Sequence, residues 1–458
     1  MTRIRHIAVI DVGKTNAKLA LVDAATLQEL AVVTRPNRVL AGPPWPHFDL
    51  EGHWAFFLEA LKSFQASHGI DGISVTTHGA SAVLLDAAGE LAAPMLDYEH
   101  DGPDSLAGAY DAIRPDFAET GSPRLAMGLN LGAQLFWQFR QDPGLAERTA
   151  HVVTYPQYWG YRLTGRFATD VTSLGCHTDL WAPQEGRFSS LVEALGLAGK
   201  IPEPRKSGDV LGTVTPAVCA ATGLTPDTPV LCGIHDSNAS LFPHLAGRQG
   251  AFSVVSTGTW LVAMSIGGET PHLSAARDTL VNVNALGQPV PSARYMGGRA
   301  YEVIRQGCTA TPTDEDLKAV LRDGVMLMPS VVPESGPFPG RRHCWTRQPA
   351  NDAQRMAALS WYLALMTRTC LDLTGAAGPV ILEGPFAANA TYTEMLAALS
   401  PEGVELSTSA TGTSTGAAML FSEAQVAPRT RPVAPRDAAA LRAYAADWQA
   451  EVSELALG

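Results

Sequence analysis

The sequence predicts an α/β fold in two halves of similar length. Apolar strands alternate with amphipathic helical segments along the chain, which is the pattern of the α/β class. A strand, a polar turn and a second strand occupy residues 6–23, and the same layout returns at residues 251–264. The 458 residues allow two or three domains at the usual ~100 to 200 residues each. We therefore expect two domains, over residues 1–243 and 244–458, with a boundary near residues 241–250.

The first hairpin consists of a strand through Ile10, a polar turn and a second strand in which polar and apolar residues alternate. Its Gly13-Lys14-Thr15 turn resembles the end of a P-loop. The glycine that a P-loop needs five residues earlier is Ala8 in this chain, and a strand follows the turn where a helix is required. A P-loop is therefore not expected here.

The elements after the first hairpin continue the alternation. Apolar residues at helical spacing predict a helix over residues 54–68, and a strand, a polar break and a second strand are predicted over residues 72–86. A later strand delivers His235 and Asp236 to a turn, ahead of a helix rich in small residues. The last predicted elements are a helix over 355–373, a strand and turn over 379–389, and a Gly/Ala turn that opens a helix over 410–419.

Composition excludes several classes of protein. With 46% hydrophobic and 17% charged residues the chain is globular. The 33 Lys+Arg against 45 Asp+Glu give a net charge of -12, which argues against nucleic acid or an anionic membrane as the main partner. No apolar run approaches the ~18 residues of a membrane span, and the first strand begins too early for a signal peptide. The six cysteines form no C-x-x-C pair, so we expect reduced thiols and a cytoplasmic protein.

Turns rich in Gly, Ser and Thr suit phosphate, because backbone N–H groups converge on the anion and missing side chains permit close approach. Asp11 ends the first strand just before such a turn. A carboxylate in that place suits a magnesium ion held mainly through water and bridging nucleotide phosphates. The alternative is that Asp11 stabilises the turn through an Asx bond.

Asp236 is a second carboxylate at a strand end. In that position it can accept a proton from a substrate hydroxyl group that attacks a phosphate. The alternative is a helix N-cap, because Asp followed by Ser-Asn-Ala-Ser is a good capping sequence. Trp159, Trp181 and Trp260 can stack on a sugar, although burial is expected for at least two of them.

In their order along the chain, these parts resemble the FGGY carbohydrate kinases, and within them the rhamnulokinase and fuculokinase branch. The resemblance covers nearly the whole chain. Each motif alone is weak evidence for the resemblance, but five motifs in the family's order and spacing are strong evidence. They are residues 11–18 as first phosphate hairpin, 77–86 as sugar-side turn, 233–239 as catalytic turn, 256–260 as second phosphate hairpin and 383–389 as adenosine segment.

The resemblance implies two actin-like (ribonuclease H-like) domains with an ATP and sugar cleft between them. It also implies roles for individual residues. Asp236 would be the general base and Asp11 the magnesium ligand. The sugar would be bound by His78, Gly79, His235, Asp236, Ser237 and Arg294. ATP would be bound by Lys14, Thr15, Asn16, Thr259, Glu302 and Gly384.

The activity implied by the resemblance is transfer of the ATP γ-phosphoryl group to a primary hydroxyl of a ketose, first of all a 6-deoxyketohexose such as L-rhamnulose or L-fuculose. A pentulose (ribulose or xylulose) or polyol acceptor is an alternative. Two further alternatives are a catalytically silent sugar or nucleotide sensor and an actin-like ATPase that acts on proteins. ATP, Mg²⁺ and a small-molecule sugar are the expected partners, without nucleic acid or membrane, and a homodimer is left open.

Four positions depart from the family pattern. Lys14 stands where many members have Thr or Ala, and Glu383 and Pro385 stand where glycines are common. His78 stands where rhamnulokinases typically have Trp. We therefore expect a changed sugar pocket.

Overall fold

The structure is a computed structural model that describes residues 4–408, 412–422 and 428–454. The chain forms two compact units. The first lies within Met1–Arg248, Val281–Pro289 and Thr411–Ala427, and the second within Gln249–Leu280, Val290–Ala410 and Pro428–Gly458. Two segments from the second half of the chain thus belong to the first unit, so the units are not two continuous halves.

The strands are numbered in chain order. They are β1 His6–Val12, β2 Asn16–Asp23, β3 Glu29–Pro36, β4 Val39–Leu40, β5 His47–Phe48, β6 Gly72–Thr77, β7 Ala82–Leu85, β8 His151–Thr154, β9 Thr169–Asp170, β10 Trp181–Ala182, β11 Arg187–Phe188, β12 Pro204–Arg205, β13 Val210–Thr213, β14 Pro229–Leu231, β15 Ile234–His235, β16 Phe252–Thr257, β17 Leu261–Ile266, β18 Thr279–Val283, β19 Pro289–Tyr295, β20 Val380–Glu383, β21 Val404–Ser407 and β22 Thr430–Pro432.

The helices are numbered in the same way. They are α1 Leu50–Ser67, α2 Ala107–Asp111, α3 Phe117–Thr120, α4 Leu131–Gln141, α5 Leu145–Arg148, α6 Tyr155–Thr164, α7 Val171–Leu174, α8 Ser190–Ala194, α9 Pro216–Thr222, α10 Asp236–Gly247, α11 Gly297–Arg305, α12 Asp314–Asp323, α13 Asp352–Leu373, α14 Ala390–Leu399, α15 Thr413–Met419 and α16 Ala438–Glu454. Short 3-10 helices cover Gly102–Leu106, Ala275–Arg277 and Pro385–Ala388.

The described residues form two seven-stranded mixed sheets, one centred in each unit. The first has the order β13-β14-β6-β1-β2-β3, and β15 also pairs with β6. The second has the order β18-β19-β17-β16-β20-β21-β22. In both sheets three antiparallel strands are followed by two parallel ones, β3-β2-β1 then β6 and β14, and β19-β17-β16 then β20 and β21. The predicted α/β class and the repeated hairpin layout are confirmed.

The individual elements follow from the apolar pattern. The β1–β2 hairpin is almost entirely buried because its strands are central in the sheet. Helix α1 begins where Asp49 accepts the backbone N–H of Gly52 at 2.9 Å, and it buries the apolar stripe that includes Phe57, Leu61 and Phe64. Helix α13, which is buried on most of its surface, forms the centre of the second core.

Several predicted elements are confirmed, with one unexpected pairing. The helices predicted over 54–68 and 355–373 correspond to α1 and α13. The strand after the polar break is β7, which pairs with β8 and not with its sequence neighbour β6. Of the turn predicted to open a helix over 410–419, residues 410–411 lie outside the described residues, and α15 follows.

Trp159 and Trp181 are core residues, 0% and 7% exposed, as expected for at least two of the three tryptophans. Among the helices in the described ranges, none has both the length and the apolar character to cross a membrane.

Candidate active site

The turn between β1 and β2 is fixed by Asn37, a buried residue that follows β3. Its side-chain amide donates to Gly13 O at 2.8 Å, and its backbone N–H donates to Thr15 O at 2.8 Å. Gly13 N–H closes the turn on Asn16 O at 2.9 Å. Thr15 and Asn16, two of the predicted ATP ligands, are therefore exposed on a turn whose backbone is held in place.

A buried histidine, His53, supports Asn37. Its Nε2 donates to Asn37 Oδ1 at 2.8 Å, and its Nδ1 accepts a bond from Arg35 Nη1 at 2.8 Å. Both ring nitrogens are satisfied only when the imidazole is neutral, because the second proton would face the Arg35 guanidinium. Burial and then the charge of Arg35 lower the pKa of His53 from 6.5 to about 4.

The free energy of unfolding should therefore fall at acid pH. The pKa of His53 is lower in the folded chain than in the unfolded chain, so the unfolded chain takes up the proton first. The stability that neutral His53 provides is present above pH 6.5 and is lost as the pH falls to about 4. The expected loss is roughly 3 kcal/mol. In His53→Gln, which cannot titrate, the difference in urea-unfolding free energy between pH 7 and pH 4.5 should shrink.

The matched control is His343→Gln, because His343 is exposed. It should keep the pH dependence of the parent chain. An equal loss of stability at acid pH in the parent chain and in His53→Gln would show that His53 does not carry this effect.

Asp11 lies near the end of β1 and has partners from two other elements. Lys18, its cross-strand neighbour in β2, places Nζ 3.3 Å from Oδ2, and Thr413 at the start of α15 donates its hydroxyl to the same oxygen. Burial raises the pKa of Asp11, while Thr413 and Lys18 oppose the rise. These partners lie outside the hairpin turn, so the Asx-bond interpretation of Asp11 does not describe this structure.

Asp236 is the first residue of α10, and His235 precedes it in the N-cap position. The helix-cap interpretation of Asp236 is therefore wrong. Its Oδ1 accepts the backbone N–H of Ser237 at 2.6 Å and lies 3.1 Å from His235 Nε2. Among the described residues, no hydrogen bond falls on Oδ2. One oxygen of the carboxylate is thus held and the other is available, with the side chain 28% exposed.

His235 also contacts Cys176, a residue that no sequence motif singles out. Cys176 Sγ lies 3.5 Å from His235 Nε2. Burial opposes charge on both groups. Interactions with His177 and His235 outweigh burial and lower the pKa of Cys176, while Cys176 and Asp236 raise the pKa of His235 to about 9. His235 thus lies between Cys176 and Asp236, with its Nε2 3.5 Å from the Cys176 Sγ and 3.1 Å from Asp236 Oδ1.

Gly79 makes room for this pair. A Cβ atom at Gly79 would lie 2.7 Å from His235 Nε2 and 2.9 Å from Cys176 Sγ. The close approach predicted for the sugar at Gly79 is thus made, in this structure, by two side chains of the same unit.

A buried network fixes the backbone that carries His235 and Asp236. The N–H of His235 donates to Thr172 Oγ1 at 2.9 Å, and the Thr172 hydroxyl donates to Asp170 Oδ2. Ser207 donates its hydroxyl to the same carboxylate oxygen at 3.1 Å. Burial raises the pKa of Asp170, which is 0% exposed. The polar run at residues 169–173 was the sequence signal for this network, but its partner near residue 235 is distant in sequence.

His78 lies in an aromatic environment at the end of β6. Its ring centroid is 5.2 Å from that of Phe48 and 5.1 Å from those of Tyr98 and Tyr155. Burial lowers the pKa of His78 to about 4, so the ring is neutral at pH 7. Nδ1 lies 3.1 Å from Gly79 O, whereas Nε2 is buried and has no hydrogen-bond partner among the described residues.

Lys14 was predicted to face phosphates, and its ammonium group instead contacts two carboxylates. Nζ lies 3.1 Å from Glu99 Oε2 and makes a shorter contact with Asp97 Oδ1. Neither acidic residue was selected from the sequence, because the loop that carries them is far from Lys14 along the chain.

The second unit contains a cavity of about 870 Å³ next to its own hairpin turn. Thr259 lines it from the turn, Glu302 from α11, and Phe386 and Asn389 from the segment after β20. Both apolar and polar side chains line it, as in small-molecule sites. Two predicted ATP ligands, Thr259 and Glu302, therefore line the same cavity. The Glu302 carboxylate is half-exposed and lies 2.9 Å from Arg305 Nε.

Gly384 sets the position of the segment that lines the cavity. Its φ of 84° and ψ of -170° are open essentially to glycine alone, and a Cβ atom would lie 2.1 Å from Thr257 O. Thr257 Oγ1 donates to Glu383 O at 2.5 Å and accepts the N–H of Phe386 at 3.1 Å. Gly384 thus permits β16 and β20 to join at the point where the cavity begins.

Arg294, predicted to bind the sugar, has partners within the second unit. Its Nε donates to Asp278 Oδ1 at 2.9 Å, and its guanidinium lies 4.6 Å from the centroid of Trp260. The Arg294 guanidinium thus forms an ion pair with Asp278 and a cation–π contact with Trp260.

The two α/β units with their repeated sheets define a two-domain fold of the actin-like ATPase type, the fold of known sugar kinase structures. The model of the N-terminal domain of the FGGY family of carbohydrate kinases matches residues 6–243, and the model described as carbohydrate kinase FGGY, C-terminal domain, matches residues 249–430. The chain belongs to the FGGY family of carbohydrate kinases.

Similar proteins agree with this assignment. A carbohydrate kinase from Novosphingobium aromaticivorans has a TM-score of 0.90 and 37% identity over 97% of this chain and 100% of that one. The L-fuculokinase of Salmonella typhi is 27% identical over 270 residues, which span 57% of this chain and 57% of that protein. A rhamnulokinase of Klebsiella pneumoniae is 26% identical over 64% of this chain and 59% of that protein. The chain therefore aligns with less than two thirds of the length of these two relatives. Both matches are consistent with the fuculokinase and rhamnulokinase branch.

Proposed function

We propose that this protein is an ATP-dependent sugar kinase in which Asp236 is the general base. The observation that carries the proposal is the asymmetric Asp236 carboxylate, with Oδ1 held by Ser237 and His235 and Oδ2 available. In the proposed reaction the acceptor hydroxyl gives its proton to Oδ2, its oxygen forms the new bond to the γ-phosphorus, and the bond to the β-phosphate oxygen breaks to release ADP.

The proposed ATP contacts come from both hairpin turns. Thr15 and Asn16 on the first turn are exposed polar residues on a fixed backbone, and Thr259 and Glu302 line the cavity of the second unit. We propose that this cavity takes the nucleoside, because its volume and mixed lining suit an adenosine group. Gly384 acts there by shaping the backbone.

The proposed acceptor contacts are His78, His235 and Ser237. The buried Nε2 of His78, which has no partner among the described residues, suits a hydroxyl group of the sugar. His235 contributes indirectly as well, because its bond to Oδ1 orients Asp236. Arg294 is not among the proposed acceptor contacts, because its guanidinium group is paired with Asp278 and lies against the ring of Trp260.

Magnesium fits at Asp11 as an ion held by one carboxylate, phosphates and water. Within the described residues, no group of three or more His, Cys, Asp or Glu side chains is arranged to hold a metal. A single carboxylate is sufficient for Mg²⁺ when a nucleotide supplies the other ligands. The ion, when bound, would neutralise phosphate charge. Lys18 and Thr413 keep the Asp11 carboxylate oriented.

We propose a 6-deoxyketohexose such as L-rhamnulose or L-fuculose as the first candidate acceptor, because two relatives are named as L-fuculokinase and rhamnulokinase. A pentulose or polyol is the second candidate. All six cysteines are unpaired, as in proteins of a reducing compartment, which supports a cytoplasmic location.

The test is an ADP-release assay with MgATP and a panel of 6-deoxyketoses, pentuloses, ketohexoses and polyols. We expect ADP release that depends on the sugar, with one phosphorylated sugar formed for each ADP released. ADP release at the same rate without any sugar would indicate a protein-directed ATPase. No release with any member of the panel would overturn the kinase proposal in favour of a sensor.

A further inference from the structure

The Lys14 ammonium group is bound by two carboxylates of one loop. Its Nζ lies 3.1 Å from Glu99 Oε2 and makes a shorter contact with Asp97 Oδ1. Asp97 is itself fixed, because Oδ1 also accepts the backbone N–H of Glu99 at 3.2 Å and its own N–H donates to Pro46 O at 3.0 Å. We call the side chains of Lys14, Asp97 and Glu99 the Lys14 ion cluster.

Aromatic rings connect the Lys14 ion cluster to His78. Lys14 Nζ lies 4.6 Å from the ring centroid of Tyr98 and 5.1 Å from that of Phe48. Both rings also contact His78, with centroid distances of 5.1 and 5.2 Å. The backbone N–H of His78 donates to Val12 O at 2.9 Å, two residues before Lys14. The cluster and His78 therefore belong to one part of the first unit.

The charge of Asp236 acts on two of these rings, those of His78 and Tyr98. Burial lowers the pKa of His78, Asp236 opposes this shift and Lys14 adds to it. Burial raises the pKa of Tyr98, and the charges of Glu99 and Asp236 raise it further. The geometry agrees, because a Cβ atom at Gly79, the residue after His78, would lie 2.7 Å from His235 Nε2, and that nitrogen lies 3.1 Å from Asp236 Oδ1. The Lys14 ion cluster thus lies on the side of the unit where the proposed base is located.

The charge balance of this cluster is negative, with one ammonium group against two carboxylates. We propose that the Lys14 ion cluster selects the acceptor by charge: it admits neutral polyhydroxy compounds and excludes sugar acids and sugar phosphates. Ammonium and carboxylate groups both exchange hydrogen bonds with hydroxyls, whereas an anionic acceptor would meet surplus negative charge in a partly buried place. This inference rests on the proposed function, because Asp236 marks where the acceptor binds.

The test compares two analogues that differ at one carbon, L-rhamnitol and L-rhamnonate, by calorimetric titration at low salt. L-Rhamnitol should bind the parent chain at least about tenfold more tightly than the carboxylate does. In the double variant Asp97→Asn, Glu99→Gln the Lys14 charge is no longer compensated. The ratio of the two dissociation constants should then fall at least about tenfold. Adding Lys14→Met to the double variant should restore much of the preference for the neutral compound.

Two further variants make the result interpretable. Asp101→Asn removes a carboxylate from the same loop whose side chain is 88% exposed, and it should leave the ratio unchanged. Glu99→Gln alone, at a side chain 54% exposed, serves if the double variant does not fold, and it should shift the ratio in the same direction.

An unchanged ratio in a folded variant that lacks one or both carboxylates would overturn the inference, as would failure of L-rhamnitol to bind the parent chain. Calorimetry does not require turnover. A chain that binds L-rhamnitol selectively but releases no ADP with any sugar would contradict the proposed function and not the charge selection.

Discussion

Replacing Asp236 with Asn should lower kcat for sugar phosphorylation by about 10² or more, the usual effect of losing a general base. Asn has almost the same shape as Asp, so its side-chain oxygen can still accept the Ser237 N–H that Oδ1 accepts at 2.6 Å. The amide cannot take up the proton of the acceptor hydroxyl. The change should therefore affect turnover much more than the affinity for ATP or the free energy of unfolding.

The measurement is the initial rate of ADP release at saturating MgATP and sugar, together with a nucleotide titration and a thermal unfolding curve for the same protein. Asp227→Asn is the control, because Asp227 is an exposed residue of the first unit. It should keep the parent rate. If Asp236→Asn retained a kcat within about tenfold of the parent, another group would have to be the base.

The sequence predicted the class of the fold because hydrophobic periodicity is local. The β1–β2 hairpin, the strand that leads to His235 and the long helix α13 each show their apolar pattern within a few residues. The pairing of β7 with β8 was not predictable in this way, because β8 begins at His151, far along the chain. The discontinuity of the two units was not predictable for the same reason, because no local pattern shows that α15 packs with the first unit.

The site was predictable to a similar extent. The contact between Asp11 and Lys18 follows from hairpin register, because cross-strand partners are adjacent when the turn is known. Thr413, which donates to the same Asp11 oxygen, is 402 residues away and could only be found in three dimensions. The partners of Lys14 could not be predicted from its position in a turn. Its ammonium group pairs with Asp97 and Glu99, which lie on a loop distant in sequence.

Two glycines that were predicted to contact ligands have a different role in the structure. Gly79 and Gly384 were both selected as ligand-binding positions from the resemblance. In the structure each glycine is required because other protein atoms lie where a Cβ atom would be. They therefore act on the site by permitting contacts within one unit, and substitutions there test packing before they test binding.

Gly384→Ala should destabilise the second unit by about 3 kcal/mol or more, the sum expected for a strained backbone conformation and for overpacking. The new methyl group would lie 2.1 Å from Thr257 O, a backbone atom that cannot move without separating β16 from β20. Because Thr257 also donates to Glu383 O and accepts the Phe386 N–H, the displacement would reach the wall of the cavity. The affinity for ATP should fall together with the free energy of unfolding.

Gly403→Ala separates the two contributions. Gly403 has the same φ of 84°, but a Cβ atom there would have no heavy atom within 4 Å. This variant therefore carries backbone strain without crowding and should lose only about 1 to 2 kcal/mol. Urea unfolding of both variants, with a nucleotide titration of each, measures the difference. Equal losses would mean that strain alone explains Gly384, whereas a larger loss confined to Gly384→Ala, with weakened ATP binding, would show that the β16–β20 junction shapes the nucleotide cavity.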